Sequence, residues 1–247
     1  MTFDQSEFEV RCEWGEHGVA QLAPISDAVI IVDVLSFSTC VEIATSREAV
    51  VFPYRWKDES ATAFATSVGA SLAHSRRGDS QYSLSPQSLM RIPKGTRLVL
   101  PSPNGSTLTL NTRTTPTLAG CLRNCRAVAW AAQSYGRRIA VIPAGERWKK
   151  DGSLRPAFED WVGAGAIVSH LDGNLSPEAQ AAVAIFRNAQ SDIQRLLRLC
   201  SSGKELVAQG FEGDVTLAAE LDVSECVPVF SNGTYVRLGS QVTGSAF

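Results

Sequence analysis

The chain has 247 residues, with 23 Lys and Arg against 25 Asp and Glu, a formal net charge of -2 and 44% hydrophobic residues. That length can bury a sizeable core as one large domain or two small ones, and the composition is that of a globular protein. The charge balance argues against a nucleic-acid surface, which needs a basic stripe, and no apolar run reaches the length of a membrane span.

The N-terminus is acidic and mixed, without a signal-peptide pattern, so a cytoplasmic chain with no membrane partner is expected. Its six scattered cysteines (Cys12, Cys40, Cys121, Cys125, Cys200 and Cys226) are then reduced thiols. Cys121-x-x-x-Cys125 has no second ligand pair at zinc spacing, and the three histidines are isolated from one another.

Phe8 to Trp14 alternates and predicts a first, partly exposed strand; His17 follows in a loop beside Gly15 and Gly18. Val29-Ile30-Ile31-Val32 reads as a strand buried on both faces, as in a parallel sheet. Asp33 is set into this run, where a carboxylate is costly unless it meets a cation or hydrogen-bond donors. Ser36-Phe37-Ser38-Thr39 then suits a helix start, with a helix to about Ala44. In an open α/β sheet, ligands collect outside the carboxyl ends of the strands, which is where Asp33 falls.

Ala49 to Pro53 predicts a further strand and Asp58 to Val68 a helix. Gly69 to Pro86 reads as loops, in which Arg76 and Arg77 are the best local anion binders. Arg97 to Leu100 is a short strand ending in Pro101-Ser102-Pro103-Asn104-Gly105-Ser106-Thr107, where exposed backbone N–H groups suit an anion. Asn124 to Tyr135 is an alanine-rich helix, and Arg138 to Ile142 a strand that ends in Pro143-Ala144-Gly145-Glu146-Arg147.

Trp148 to Arg155 reads as a charged covering loop, and Phe158 opens a helix running to about Leu171. Its first-turn Glu159 and Asp160 suit the helix dipole, and Gly163 with Gly165 predicts close packing. Ser176-Pro177 begins a helix with proline in its first turn, running towards Leu199, and shorter helices follow. Val227 to Phe230 and Tyr235 to Leu238 read as closing strands. No linker obliges a split, so a single domain over residues 1–247 is expected, of α/β class, with a mainly parallel sheet.

Three strands thus end in polar corners, at Asp33–Thr39, Ser102–Thr107 and Gly145–Arg147, which suggests one composite site along a sheet edge. The order of these motifs resembles the 2-phosphosulfolactate phosphatase family, the magnesium-dependent enzymes of coenzyme M biosynthesis. The matching pieces are Val32 to Thr39, Ser102 to Ser106, Ala144-Gly145-Glu146 and Glu159-Asp160-x-x-Gly163-Ala164-Gly165. Ser85-Pro86 and Gly213-Asp214-Val215 also fall in order, so the resemblance spans about residues 8 to 230.

That resemblance implies a three-layer α/β/α fold with an acid-rich Mg²⁺ site that hydrolyses a phosphomonoester next to a sulfonate. Asp33 would be a metal ligand or nucleophile, with Glu146 and Asp160 as further metal or acid–base carboxylates. Asn104, Gly105 and Ser106 would hold substrate or phosphate, joined by Ser36, Ser38, Thr39, Ser102 and Arg147 at the same corners. The chain departs from the family at Ser36, where an arginine is usual, and at Leu84-Ser85-Pro86, where Asn-Ser-Pro is usual.

Hard carboxylate oxygens suit Mg²⁺, which keeps several waters and shares the substrate phosphate. The expectation is therefore a Mg²⁺-dependent phosphatase acting on a small anionic phosphorylated substrate, 2-phosphosulfolactate or a related compound. Serine in place of arginine removes charge-assisted bonds of about 1.5–3 kcal/mol per contact, or one to two powers of ten in affinity. That predicts preference for a less anionic phosphomonoester, unless Arg76, Arg77 or Arg147 reaches in. A non-catalytic small-anion binder on the same scaffold is the alternative. A dinucleotide enzyme lacks its glycine-rich turn, and a homodimer stays open as an assembly.

Overall fold

The computed structural model describes residues 3–74 and 81–239. Strand and helix alternate at first: β1 (Val10–Cys12), α1 (Gly15–Leu22), β2 (Ala28–Val32), α2 (Phe37–Ser46), β3 (Val50–Tyr54), α3 (Glu59–Ser67) and β4 (Ser71–Leu72). There follow the one-turn α4 (Pro86–Leu89), β5 (Arg97–Pro101), α5 (Gly105–Asn111), β6 (Thr117–Gly120), α6 (Cys125–Gln133) and β7 (Ile139–Pro143). A two-stranded hairpin, β8 (Glu146–Arg147) and β9 (Leu154–Arg155), leads to α7 (Phe158–Val168), α8 (Pro177–Ala189), α9 (Ile193–Leu199), α10 (Ser201–Ala208) and α11 (Glu212–Ala218). A second hairpin, β10 (Pro228–Ser231) and β11 (Thr234–Arg237), closes the described chain.

Nine strands form one sheet in the order β1-β7-β2-β6-β10-β11-β3-β5-β4. The set β1, β7, β2, β6 is parallel, as is the set β3, β5, β4. The β10–β11 hairpin joins them through three antiparallel pairings, so the two parallel sets run in opposite directions. The sequence places these last strands as a closing pair; they lie in the middle of the sheet instead.

Alternation along β2 explains its wholly apolar character. Ile30 and Val32 face α6 and α7, in one core cluster with Val128 and Val162. Val29 and Ile31 face the opposite layer, against Val19 and Leu22 of α1 and Leu108 of α5. In the other set, Val51, Leu98 and Leu100 pack on Phe37 and Val41 of α2, while Phe52 and Val99 face Ala65 and Phe64 of α3. Helices thus cover both faces of a mostly parallel sheet, the three-layer α/β/α arrangement.

Small residues set the spacing of these layers. A Cβ at Gly163 would stand 2.6 Å from Val34 Cγ2, and one at Gly165 2.6 Å from the Ala182 carbonyl carbon. Ser176 caps α8 by accepting from the Ala179 N–H at 3.1 Å.

Several local expectations change. Residues 15–22, expected as a loop around His17, form α1, and β6 carries no expectation from sequence. β1 is fully buried, not half exposed, because Leu175 bridges to Val10 and the Ser176 N–H donates to Val10 O. The helix expected to run to Leu199 is broken at Gln190–Asp192 by a 3-10 turn. Arg76 and Arg77 lie outside the described residues. The six cysteines are free thiols, five of them buried and Cys200 half-buried. Among the described residues no helix is long and apolar enough to cross a membrane.

Candidate active site

Asp33 follows the last residue of β2, and the turn into α2 is built around it. The Phe37 N–H donates to Asp33 Oδ1 at 3.1 Å, and the Gly105 N–H to Oδ2 at 2.9 Å. In a flat sheet of this order, the ends of β2 and β5 would point to opposite edges. Residues 102–104, which follow β5, carry the start of α5 across to Asp33. A side chain at Gly105 has no room, since its Cβ would stand 2.8 Å from Asp33 Oδ2 and 2.7 Å from Phe37 Cγ, with Phe37 Cδ1 closer still.

The hydroxyl residues of these corners are supports. Ser38 Oγ accepts from the Asp33 N–H at 3.0 Å and donates to Ile31 O at 3.0 Å. Thr39 donates to Val34 O at 2.8 Å and Ser106 to Leu100 O at 3.0 Å. All three are fully buried with their protons committed to backbone carbonyls, and in those positions they hold the loops. Ser36 is buried at the N-cap position of α2, and Ser102 is buried at the end of β5, where its N–H donates to Tyr54 O.

Asp160, in the first turn of α7, ties two corners together. Its Oδ1 accepts from the Val34 N–H at 2.7 Å and its Oδ2 from the Gly145 N–H at 2.9 Å. Glu146 opens β8 beside this corner, and Asn104 Nδ2 donates to Glu146 Oε2 at 3.0 Å. Asp33, Asn104, Gly105 and Glu146, expected at three separate corners, are thereby brought together with Asp160 from the start of α7.

A further acid belongs to this group. Glu159 is 2% exposed and its Oε2 has no hydrogen-bond partner. By its sequence position it is first-turn charge on α7; only the close approach of the strand ends makes it part of the cluster.

The electrostatics are those of crowded acids. Burial pushes the Asp33 carboxyl above its usual range, against the two backbone N–H donors, and Glu159 adds to the rise. Asp160 is raised well above its ordinary value, by burial and then by Asp33 and Glu159. Burial, followed by the charge of Asp33, pushes Glu146 up to about 7.

Four mutually repelling carboxyl groups with an unsatisfied buried oxygen fit a divalent cation. Among the described residues, no three His, Cys, Asp or Glu side chains converge as a ready-made cage. Mg²⁺ needs less than such a cage, since it keeps several waters and takes one or two carboxylates together with substrate phosphate.

Two cations act on the acids. Lys57, exposed ahead of α3, draws on the Asp33 charge, and Arg155 draws on that of Glu146. Arg147, expected as a substrate contact, instead ion-pairs with Glu16 of α1 and donates to Gly152 O. Elsewhere, Ser85 Oγ donates to buried Asp214 Oδ1 at 2.6 Å, joining two motifs 129 residues apart. A separate groove of about 820 Å³, running along α1 to the end of α5 and lined by Glu16, His17, Arg55 and Arg113, contains none of the four clustered carboxylates.

Comparison with known proteins adds an independent finding. Residues 17–233 match the family described as 2-phosphosulpholactate phosphatase. The 2-phosphosulfolactate phosphatase of Methanothermobacter thermautotrophicus is 29% identical over 210 residues, covering 84% of this chain and 88% of that protein. A probable 2-phosphosulfolactate phosphatase of Thermosynechococcus vestitus is 29% identical over 224 residues, covering 82% and 88%. Another from Gloeobacter violaceus is 32% identical over 135 residues, covering 54% and 55%. The corners around Asp33, Asn104, Glu146 and Asp160 all fall within the matched span, and the chain belongs to the 2-phosphosulfolactate phosphatase family.

Proposed function

We propose that this chain is a Mg²⁺-dependent phosphatase that hydrolyses 2-phosphosulfolactate or a closely related small acidic phosphomonoester. The observation that carries the reading is the grouping of Asp33, Glu146, Glu159 and Asp160 around the ends of β2 and β7, where burial and neighbouring acids raise the proton affinities of Asp33, Glu146 and Asp160. Family membership supports the phosphatase class, and the relatives' names support the substrate.

Asp33 and Asp160 are held rigid by two backbone N–H donors each, which suits metal ligands that must not reorganise during reaction. Glu159 offers a further oxygen to this pair. When bound, Mg²⁺ offsets phosphoryl charge and lowers the pKa of a coordinated water. Phosphoryl transfer depends chiefly on positioning and charge, so the chain's own part is to orient the ester and manage one proton.

Glu146 is the group suited to that proton. Its value near 7 leaves it divided between protonated and ionised forms at neutral pH, the useful range for an acid–base group. Asn104 fixes its carboxyl by donating to Oε2.

Phosphate release from 2-phosphosulfolactate and simpler phosphorylated acids, with Mg²⁺ and with chelator, tests the reading. Turnover should require Mg²⁺, and Asp33→Asn should lose at least about 100-fold in kcat while retaining the wild-type circular dichroism spectrum. Calorimetry should show weaker Mg²⁺ binding in the same variant. Anion binding without turnover would favour a non-catalytic binder, and undiminished turnover in chelator would remove the metal from the reading.

A further inference from the structure

The β8–β9 hairpin carries two arginines, and strand alternation sends them to different surroundings. Arg147 is closed off by its ion pair with Glu16. Arg155 is the cross-strand partner of Glu146, so its side chain leaves the hairpin on the carboxylate side. There it is half-buried.

Two neighbours restrain it. One guanidinium nitrogen donates to Ser202 Oγ of α10 at 3.2 Å, and the group lies 5.8 Å from the centre of the Trp148 ring. Among the described residues, no carboxylate stands within ion-pair distance of it. Its position also depends on Gly145, at φ +67°, where a Cβ would lie 2.7 Å from Leu154 Cδ1 and 3.0 Å from Arg155 O. Glycine there allows β9 to close down over the Ala144–Glu146 corner.

A restrained guanidinium beside an acidic cluster, yet paired with none of its members, keeps a charge-assisted donor fork available for an outside anion. Carboxylate and sulfonate groups match that fork in charge and geometry, whereas a neutral alkyl tail gains nothing from it. We infer that Arg155 determines specificity by receiving the second anionic group, a carboxylate or sulfonate, of a phosphorylated acid whose phosphoryl group lies against the Asp33–Glu146–Asp160 corner. The inference rests on the phosphatase reading and names the part of the substrate that Arg155 recognises.

Steady-state kinetics on phosphoglycolate and on ethyl phosphate, which differ by the carboxylate, test it. Arg155→Ala should lower kcat/KM for phosphoglycolate by about 10–100-fold, mostly through KM, with less than about 3-fold change for ethyl phosphate. Arg155→Lys should recover part of the loss, and Arg137→Ala, at an exposed surface arginine, should behave as wild type. Equal loss on both substrates would overturn the inference and leave Arg155 a structural prop of the hairpin. Calorimetric binding of sulfoacetate separates this from failure of the phosphatase reading. In a wild type that hydrolyses neither ester, tenfold or weaker binding in Arg155→Ala would still support the anion subsite, and unchanged binding would overturn it.

Discussion

Glu146 is the residue whose ionisation reports most directly on the site. Its folded value near 7 lies above the usual 4.5 because burial and the Asp33 charge oppose ionisation. Between those two values the native chain binds more protons than the unfolded one, so stability falls as pH rises through that window. At about 1.4 kcal/mol per unit, the loss is on the order of 2–3 kcal/mol. Thermal unfolding in chelator at pH 5 and pH 8 should therefore show a drop in wild type that is clearly smaller in Glu146→Gln. Equal drops would mean that Glu146 ionises normally. A second residue-level prediction concerns Gly105, whose substitution by alanine would push on both Asp33 Oδ2 and the Phe37 ring. Gly105→Ala should lose activity by at least tenfold and also lower the melting temperature, while a variant retaining both would show the corner to be compliant. Asp33 was legible in the sequence because a carboxylate inside an aliphatic run has few inexpensive explanations. Glu159 and Arg155 were not, since a Glu-Asp pair at a helix start has an ordinary use and the face of a two-residue strand depends on its partner. The sequence offers Arg76, Arg77 and Arg147 as compensating cations; the pairing of Glu146 with Arg155 brings a different arginine to the carboxylate side.

At the scale of elements, α7 connects stability to chemistry, because Glu159 and Asp160 sit in its first turn while its small residues pack on α8. Gly165→Ala would drive a methyl group into the Ala182 carbonyl. Overpacking of that kind costs about 1–3 kcal/mol, and here the helix that must shift also anchors Val34 and Gly145 through Asp160. Ser176→Ala removes the α8 cap, at a cost of about 1 kcal/mol, without moving α7. Chemical denaturation should show both variants destabilised, but kcat should fall only in Gly165→Ala. Comparable kcat losses would mean that α8 capping and the site are coupled by another route. The helices α6 and α8 were legible because they carry alanine-rich or capped patterns. By contrast, α1 was hidden by Gly15 and Gly18, and Thr117-Leu118-Ala119-Gly120 is too short and too small in its side chains to announce β6. Both draw their stability from burial between other elements, which local propensity does not record.

For the whole molecule, the decisive feature is the insertion of β10–β11 between two oppositely directed parallel sets. No local pattern announces this, because strand partners are chosen by chain segments more than a hundred residues apart. The hairpin meets β3 through one register pair, Tyr235 with Val51, so Tyr235 carries much of the join. It is fully buried, lies edge-on to Phe37 at 6.1 Å and shares a 2.8 Å hydrogen bond with Thr109 Oγ1. Thr109 also donates to Gly105 O at 2.8 Å, which makes Tyr235 the donor in their pair. Phe37 and Gly105 are the two residues whose N–H groups hold Asp33. Tyr235→Phe removes only the hydrogen bond and should cost about 0.5–1.5 kcal/mol, with kcat/KM close to wild type. Tyr235→Ala also removes the ring, at about 3–5 kcal/mol, and loosens the edges of β6 and β3 that the hairpin covers. It should therefore unfold at lower denaturant, aggregate on concentration, and lose turnover through slack at Phe37 and Gly105. Denaturation midpoints, light scattering and kinetics on the soluble fraction of the two variants measure these effects separately. Should Tyr235→Ala cost no more than Tyr235→Phe, the ring would not be the join, and the two halves of the sheet would be held together by their helices alone.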